Sequence, residues 1–411
     1  MKKQQGGQEQ LIKPIVSLVS THGRQELTSE GNERLLDVLN RHGIPWSGIS
    51  IYVVPRDGGE PKLNPCLDRR LHDFDEAGEI LLYFNRNVNP FLFSLSQFKT
   101  IEAESALNAT EYFYQKMDNT NSSAEAFLKK LSPEECKSVI AQRVADMVLT
   151  TVPAGSDLVV GVSGGGDSNA LLYALSQLGT HGLKVHPVII MGIPDWDKGV
   201  PRARELCEAY GLDLTVMEEG EVKELMGIPS DDLALIDRFE REFKGDDFEF
   251  LGTLLVRLAL TKKAKELGTS YICTGLNLED VLCEALFRVT SGMKPAPFPA
   301  RVIGETTLIF PLWLCPKRII DGCFPKMSLE NYESRYPCFS LGRNLYYSLI
   351  YTMQSQYPGY VEQLAHGFSE LSMREPVTYK LDEQLGFHVE RFVPFPLRER
   401  FRKMLSTTVA A

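Results

Sequence analysis

Six residues, Ser163-Gly164-Gly165-Gly166-Asp167-Ser168, constrain this chain more than any other stretch. They follow a short apolar run, Leu158-Val159-Val160-Gly161-Val162, of the kind that forms a buried parallel strand. They precede Asn169 to Leu178, which puts Ala170, Leu171, Ala174, Leu175 and Leu178 on one face of a helix. Consecutive glycines let the backbone turn tightly and approach a ligand closely, because no Cβ intervenes. The N–H groups that open a helix lack partners within it and carry the positive end of its dipole. Strand, glycine turn and helix start together predict a phosphate-binding loop. A Walker A loop has similar spacing, with Gly161 and Gly166 in register and Ser168 at its Ser/Thr position. Its lysine position holds Asp167. A carboxylate cannot do a lysine's work on phosphates, but it can ligate the Mg²⁺ that neutralises them.

The segments that follow alternate. Lys184 to Met191 reads as a strand, Arg202 to Tyr210 as a helix stopped by Gly211, and Leu212 to Met217 as another strand. A long helix from about Phe250 ends at Leu267-Gly268. Tyr271-Ile272-Cys273-Thr274 is a further strand, and a helix then runs to Val289. This pattern predicts an α/β fold with a doubly wound parallel sheet and right-handed crossovers. Ligands in such sheets bind at the carboxyl ends of the strands.

The glycine loop matches an SGGxDS motif, and the chain resembles the PP-loop ATP pyrophosphatases, which share a HUP-like sheet. Thr274-Gly275-Leu276-Asn277-Leu278-Glu279-Asp280 resembles the GHxxDD segment of the tRNA 2-thiocytidine synthetases within that family. Gly275, Asn277 and Asp280 align, while Leu276 and Glu279 replace the family's His and first Asp. The same residues would also cap a helix, with Asn277 as N-cap and Asp280 three residues on. Phe310-Pro311-Leu312-Trp313-Leu314-Cys315-Pro316-Lys317-Arg318 resembles the family's R-P-L segment and its downstream lysine. Phe310 replaces the arginine, and either Lys317 or Arg318 supplies the cation. Arg343 and Gln354 to Leu364 resemble the C-terminal region of the 2-thiocytidine synthetases, so the likeness runs from about Cys136 to Leu371.

The resemblance implies ATP and Mg²⁺. Ser163, Gly164, Gly165, Gly166, Asp167, Ser168, Gly275 and Asn277 would bind the nucleotide, with Asp167 and Asp280 near the metal. Asp167, Ser168, Asp280 and Lys317 or Arg318 would serve catalysis. The backbone of Met191, at the end of the second strand, would contact adenine; a core methionine is the other reading. The implied reaction is attack of a substrate oxygen on the α-phosphorus, loss of pyrophosphate, and displacement of AMP by a nucleophile.

The 2-thiocytidine synthetases hold an iron–sulfur cluster on cysteine pairs. Gly245 to Leu251, where one pair belongs, contains no cysteine, and Pro337-Cys338-Phe339-Ser340-Leu341 retains one. This pattern argues against a cluster here, because three thiolates are the least one wants. Modification of tRNA or a nucleobase is the leading expectation. An amide-forming adenylating ligase on a small molecule and an ATP-binding module without turnover are the alternatives.

At 411 residues the chain is too long for one ordinary core. We expect a disordered lead-in over 1–11, an α+β domain over 12–90, and a helical connector over 91–150. The ATP domain would occupy 151–345, and a helical C-terminal region 346–411. In the first domain Ile15-Val16-Ser17-Leu18-Val19, Ile49 to Val54, and Ile80 to Phe84 read as strands. Leu35, Leu36, Val38 and Leu39 mark a helix before Gly43. The order resembles the β-grasp fold of ubiquitin-like sulfur carriers and TGS domains; a domain that docks a substrate or a protein partner is the reading we expect. The free Gly-Gly end of a carrier is replaced by Asn85 to Pro90. Asp118 to Ser123 marks a flexible connection, and Ser132-Pro133-Glu134-Glu135 opens a helix toward Val148.

A net charge of −10 offers nucleic acid no general attraction, so a tRNA would need a local basic patch. The eight cysteines are scattered, without an export signal, as in a cytoplasmic protein with reduced thiols. No stretch approaches the roughly 18–20 apolar residues of a membrane helix. A homodimer is allowed by the resemblance, although no apolar stripe demands one.

Overall fold

The computed structural model describes residues 13–20, 23–63, 67, 69–84, 111–116, 125–243, 248–324, 341–356, 359–390 and 395–405. Among them no helix is long and apolar enough to cross a membrane.

The N-terminal part is a five-stranded sheet built from β1 (Ile15–Ser20), β2 (Gly23–Glu26), β3 (Ile49–Pro55), β4 (Lys62–Leu63) and β5 (Ala77–Phe84). The spatial order is β2-β1-β5-β3-β4, with β1 parallel to β5 and the other pairs antiparallel. Helix α1 (Leu35–Arg41) buries Leu35, Leu36, Val38 and Leu39 in the same core as Val16, Leu18, Ile51, Ile80 and Leu82. That core continues into the rest of the molecule: Leu278, Val281, Tyr347, Ile350 and Tyr351 belong to it.

The connector is not helical throughout. β6 (Glu111–Lys116) and β7 (Glu125–Lys130) pair antiparallel before α2 (Pro133–Thr151) begins. Tyr112, Phe113, Tyr114 and Phe127 favour extended backbone, and that preference prevails over the expected helix. The run Asp118 to Ser123 lies outside the described residues. α2 starts as its capping box dictates. Ser132 Oγ accepts from the Glu135 N–H at 3.3 Å, and Glu135 Oε2 accepts from the Ser132 N–H at 2.7 Å.

The main unit runs β8 (Asp157–Gly161), α3 (Gly166–Ser176), β9 (Lys184–Ile190), α4 (Pro194–Asp197), α5 (Val200–Ala209) and β10 (Thr215–Met217). It continues through α6 (Glu219–Glu224), α7 (Leu235–Glu242), α8 (Phe248–Leu267), β11 (Tyr271–Thr274) and α9 (Leu278–Thr290). β12 (Ala300–Ile303), β13 (Thr306–Ile309) and α10 (Lys317–Cys323) complete it. The six-stranded sheet has the order β10-β9-β8-β11-β13-β12 and is parallel except at its edge, where β12 runs antiparallel to β13. The sheet is therefore mixed and mostly parallel, where a wholly parallel one is expected. The departure is a short hairpin turning at Gly304, whose φ of +61° suits glycine. Strand order reverses between β8 and β11, and the glycine loop leaves β8 at that switch point.

Two helices, α11 (Leu341–Gln356) and α12 (Tyr360–Arg374), follow. The C-terminal region then departs from the expected helical form: β14 (Tyr379–Asp382) and β15 (Phe387–Glu390) make a hairpin before α13 (Phe395–Leu405). Asp382 Oδ1 accepts from the Gln384 and Leu385 N–H groups, and Gly386 takes a φ of +76°, so local turn chemistry specifies the hairpin. α13 packs into a smaller, separate apolar cluster, where Phe401 and Met404 join Leu235, Phe239 and Phe243.

Candidate functional site

The loop after β8 is shaped by its glycines and fastened by its serines. Gly164 has a φ of +71°, and a Cβ there would stand 2.6 Å from the Gly199 carbonyl oxygen. At Gly165 an added Cβ would meet only Ser163 Oγ, at 3.5 Å. Ser168 Oγ accepts from the Ser163 N–H at 2.9 Å and lies 3.1 Å from Ser163 Oγ, which closes the loop on the first turn of α3. Gly165 is the N-cap of α3 and no side chain caps it, so the first N–H groups of that helix face the loop.

Asp167 stands at the mouth of the loop, with its side chain 27% exposed. Lys317 Nζ, on the first residue of α10, lies 2.9 Å from Asp167 Oδ1. The same ammonium is 3.2 Å from Asp321 Oδ1, one helical turn further along α10. Gly166 brings the loop under the lysine: a Cβ there would be 3.7 Å from Nζ and 3.0 Å from the Phe324 carbonyl oxygen.

The segment after β11 forms the opposite wall. Gly275 packs on the loop backbone, 3.6 Å from the Asp167 carbonyl carbon at its would-be Cβ. Asn277 caps α9 by accepting from the Asp280 N–H at 3.1 Å, and Asp280 Oδ2 accepts from the Asn277 N–H at 3.1 Å. Asn277 Nδ2 reaches to 3.5 Å from Asp167 Oδ1. Asp280 Oδ1 accepts from the Tyr347 hydroxyl at 2.7 Å, and Asp280 is only 2% exposed. Its carboxylate is thus engaged in the cap and with α11. Glu279 Oε2 accepts from the Lys317 N–H at 3.0 Å and fixes the start of α10. Burial pushes the Glu279 carboxyl up to about 8, against the lowering effect of that bond, and nearby Asp280 and Asp167 push it the same way.

The two candidate cations part company. Arg318 faces away from the loop: its guanidinium lies over the Trp46 ring, 4.5 Å from the centroid. Met191 is half-buried, and its N–H donates to the Met217 carbonyl at 2.9 Å, extending the sheet toward β10. The backbone of α11 is described at Arg343 but its side chain is not; Tyr357, Pro358, Cys338 and Gly245 to Asp247 lie outside the described residues. Reading the sequence did not single out Asp321, Tyr347, Trp46 or Ser50. Only Asp321 carried a signal, its spacing of four from Lys317.

No family model matches the chain. A probable sulfurtransferase of Methanocaldococcus jannaschii is 27% identical over 187 residues, or 44% of this chain and 51% of that one. The chain therefore spans about half the length of this relative. A tRNA-cytidine(32) 2-sulfurtransferase of Nitrosospira multiformis is 25% identical over 264 residues, covering 61% of this chain and 81% of the relative. Among solved structures, the U34-tRNA thiolase NcsA of Methanococcus maripaludis, with its [4Fe-4S] cluster, superposes with a TM-score of 0.50 at 16% identity. That superposition covers 66% of this chain and 89% of the thiolase, and it bears on the fold alone. The chain falls in the PP-loop ATP pyrophosphatase superfamily. Within that superfamily the 2-thiocytidine synthetases are its distant homologues. The mixed, mostly parallel sheet matches that of solved PP-loop structures.

Proposed function

We propose that this PP-loop protein binds Mg·ATP at the Ser163–Ser168 loop and adenylates an oxygen of a tRNA base, in the manner of a thiolation enzyme. The observation that carries the proposal is the pairing of Asp167 with Lys317 at the mouth of a glycine loop, at the point where strand order reverses. The loop N–H groups and the α3 dipole would cradle the β- and γ-phosphates. Lys317 would neutralise charge on the departing pyrophosphate while the base oxygen attacks the α-phosphorus in line. Asp167 suits Mg²⁺, because one or two carboxylates suffice when phosphate oxygens supply further ligands. When bound, the ion would screen the phosphate charge. Asp280 would act at one remove, by holding Asn277 beside Asp167. The tRNA substrate is suggested by the sulfurtransferase relatives.

Among the described residues no three His, Cys, Asp or Glu side chains could hold a metal ion together. The absence of cysteine from Gly245 to Leu251 favours one second reading, an amide-forming ligase with the same adenylation step. We also propose that the N-terminal sheet is a β-grasp domain that docks a partner. Its strand order, with β1 parallel to β5 and one helix between β2 and β3, supports that reading.

The test supplies ATP labelled at the α-phosphate, Mg²⁺ and either small RNA or a small-metabolite extract. Labelled AMP appearing only with RNA supports tRNA modification, and AMP only with metabolites supports the ligase. ATP binding without AMP in either case would leave a nucleotide-binding module and overturn the enzymatic proposal.

A further inference from the structure

The lysine at the loop is also tied to the N-terminal sheet. Asp321 shares its carboxylate between two partners. Oδ1 lies 3.2 Å from Lys317 Nζ, and Oδ2 accepts a hydrogen bond from Ser50 Oγ. Ser50 sits on β3, 271 residues away in sequence, and is 3% exposed. The turn just before β3 grips the same helix a second time, since the Trp46 ring lies against the Arg318 guanidinium. A continuous path of polar contacts therefore runs Ser50–Asp321–Lys317–Asp167, from the N-terminal sheet to the phosphate loop. All of it but Asp167 is buried.

We propose that Ser50 is a positioning residue of the nucleotide site, which holds Lys317 against the phosphate loop by way of Asp321. This rests on the Mg·ATP site proposed above. Asp321 and Asp167 flank one ammonium, and Asp167 must turn part of its charge to the metal when nucleotide arrives. Asp321 is then the anchor that keeps Nζ at the loop. An anchor free to rotate would let the lysine retreat along α10, and Ser50 fixes the rotation by occupying the second carboxylate oxygen. The N-terminal sheet thus sets how strongly the pyrophosphate end of the nucleotide is held, whatever else it docks.

The adjoining Ser47 supplies the control. Its hydroxyl bonds to the Tyr351 carbonyl at 2.8 Å and lies 2.8 Å from Ser355 Oγ, so it fastens this turn to α11. Full-length wild type, Ser50→Ala, Ser50→Thr and Ser47→Ala would be titrated calorimetrically with Mg·ATP, Mg·pyrophosphate and AMP. The expected result is a roughly tenfold loss of affinity for Mg·ATP and Mg·pyrophosphate in Ser50→Ala, with AMP affinity unchanged. Ser50→Thr should recover most of the loss. Ser47→Ala should lower Tm and leave all three affinities at wild-type values. Equal losses in Ser50→Ala and Ser47→Ala, or no loss in Ser50→Ala, would overturn the positioning role while leaving the ATP site standing. A wild type that binds neither Mg·ATP nor Mg·pyrophosphate would instead sink the proposed function, and this inference with it. Should Ser50→Ala fail to fold, Ser50→Cys keeps the volume with a weaker donor, and the same pyrophosphate-selective loss is expected.

Discussion

Lys317 Nζ lies 2.9 Å from Asp167 Oδ1, although 150 residues separate the two in sequence. The contact closes a site whose halves come from the loop after β8 and from the start of α10. Asp167→Ala and Lys317→Met should each lower AMP formation by roughly 10²-fold or more, as expected for loss of one key electrostatic group. Radiolabelled ATP assays read this directly, and far-UV circular dichroism should show an unchanged fold. Full activity in either variant would remove that residue from the proposed chemistry.

The two neighbouring glycines should behave differently. Gly164→Ala puts a side chain on left-handed backbone, 2.6 Å from the Gly199 carbonyl oxygen. The backbone term alone costs about 1–2 kcal/mol, and the clash adds to it. Gly165→Ala meets only ordinary contact with Ser163 Oγ, at 3.5 Å. Thermal melts should therefore show a large drop for Gly164→Ala and little change for Gly165→Ala. ATP titration should show weakened binding for Gly165→Ala, because its methyl group would occupy the approach to the phosphates.

Tyr347→Phe removes the hydrogen bond that Asp280 Oδ1 accepts inside the core. A loss of about 1–3 kcal/mol in a urea titration is expected, the usual range for depriving a buried group of a partner. Because the Tyr347 hydroxyl bonds to the α9 cap, Mg·ATP affinity should change by less than the stability does.

Asp37 provides the pH signature. Hydrogen bonds from the Arg34 side chain hold its carboxyl below the usual range, helped by the Arg34 N–H and charge, against a smaller opposing effect of burial. A folded-state value depressed in this way gives stability that is present above the unfolded value and lost as pH falls through the folded one. Asp37→Asn should therefore lower Tm at pH 7. Its difference from wild type should shrink as the pH drops below about 4. A difference that stays constant across that range would show that the ion pair contributes nothing.

What could be read in the sequence was local. The glycine loop, its flanking strand and helix, the Ser132 cap and the Asn277–Asp280 cap are each specified within a few neighbouring residues, and all are in place. The choice between Lys317 and Arg318 was not legible. Successive helical residues diverge by about 100°, so one faces the loop and the other Trp46, and only the placement of α10 decides which. Ser50 and Trp46 were invisible for a different reason: an isolated serine or tryptophan has no period or spacing that announces a partner hundreds of residues away. The two short hairpins, β6–β7 and β14–β15, were missed because paired strands of four to six residues give little periodic signal.

The seam between the N-terminal sheet and α11 has a consequence for biosynthesis. Ser47 and Ser355 are 308 residues apart, and the Gly48 backbone lies so close to the Tyr351 ring that a Cβ there would be 2.9 Å from it. A ribosome releases the sheet long before it makes the helix that covers it. During that interval Ser47, Gly48 and their apolar surroundings stand uncovered by α11, and folding cannot finish until that helix has emerged. The nascent protein should thus be a substrate for chaperones that shield hydrophobic surface, and slowed elongation ahead of residue 341 should lengthen its exposure to them.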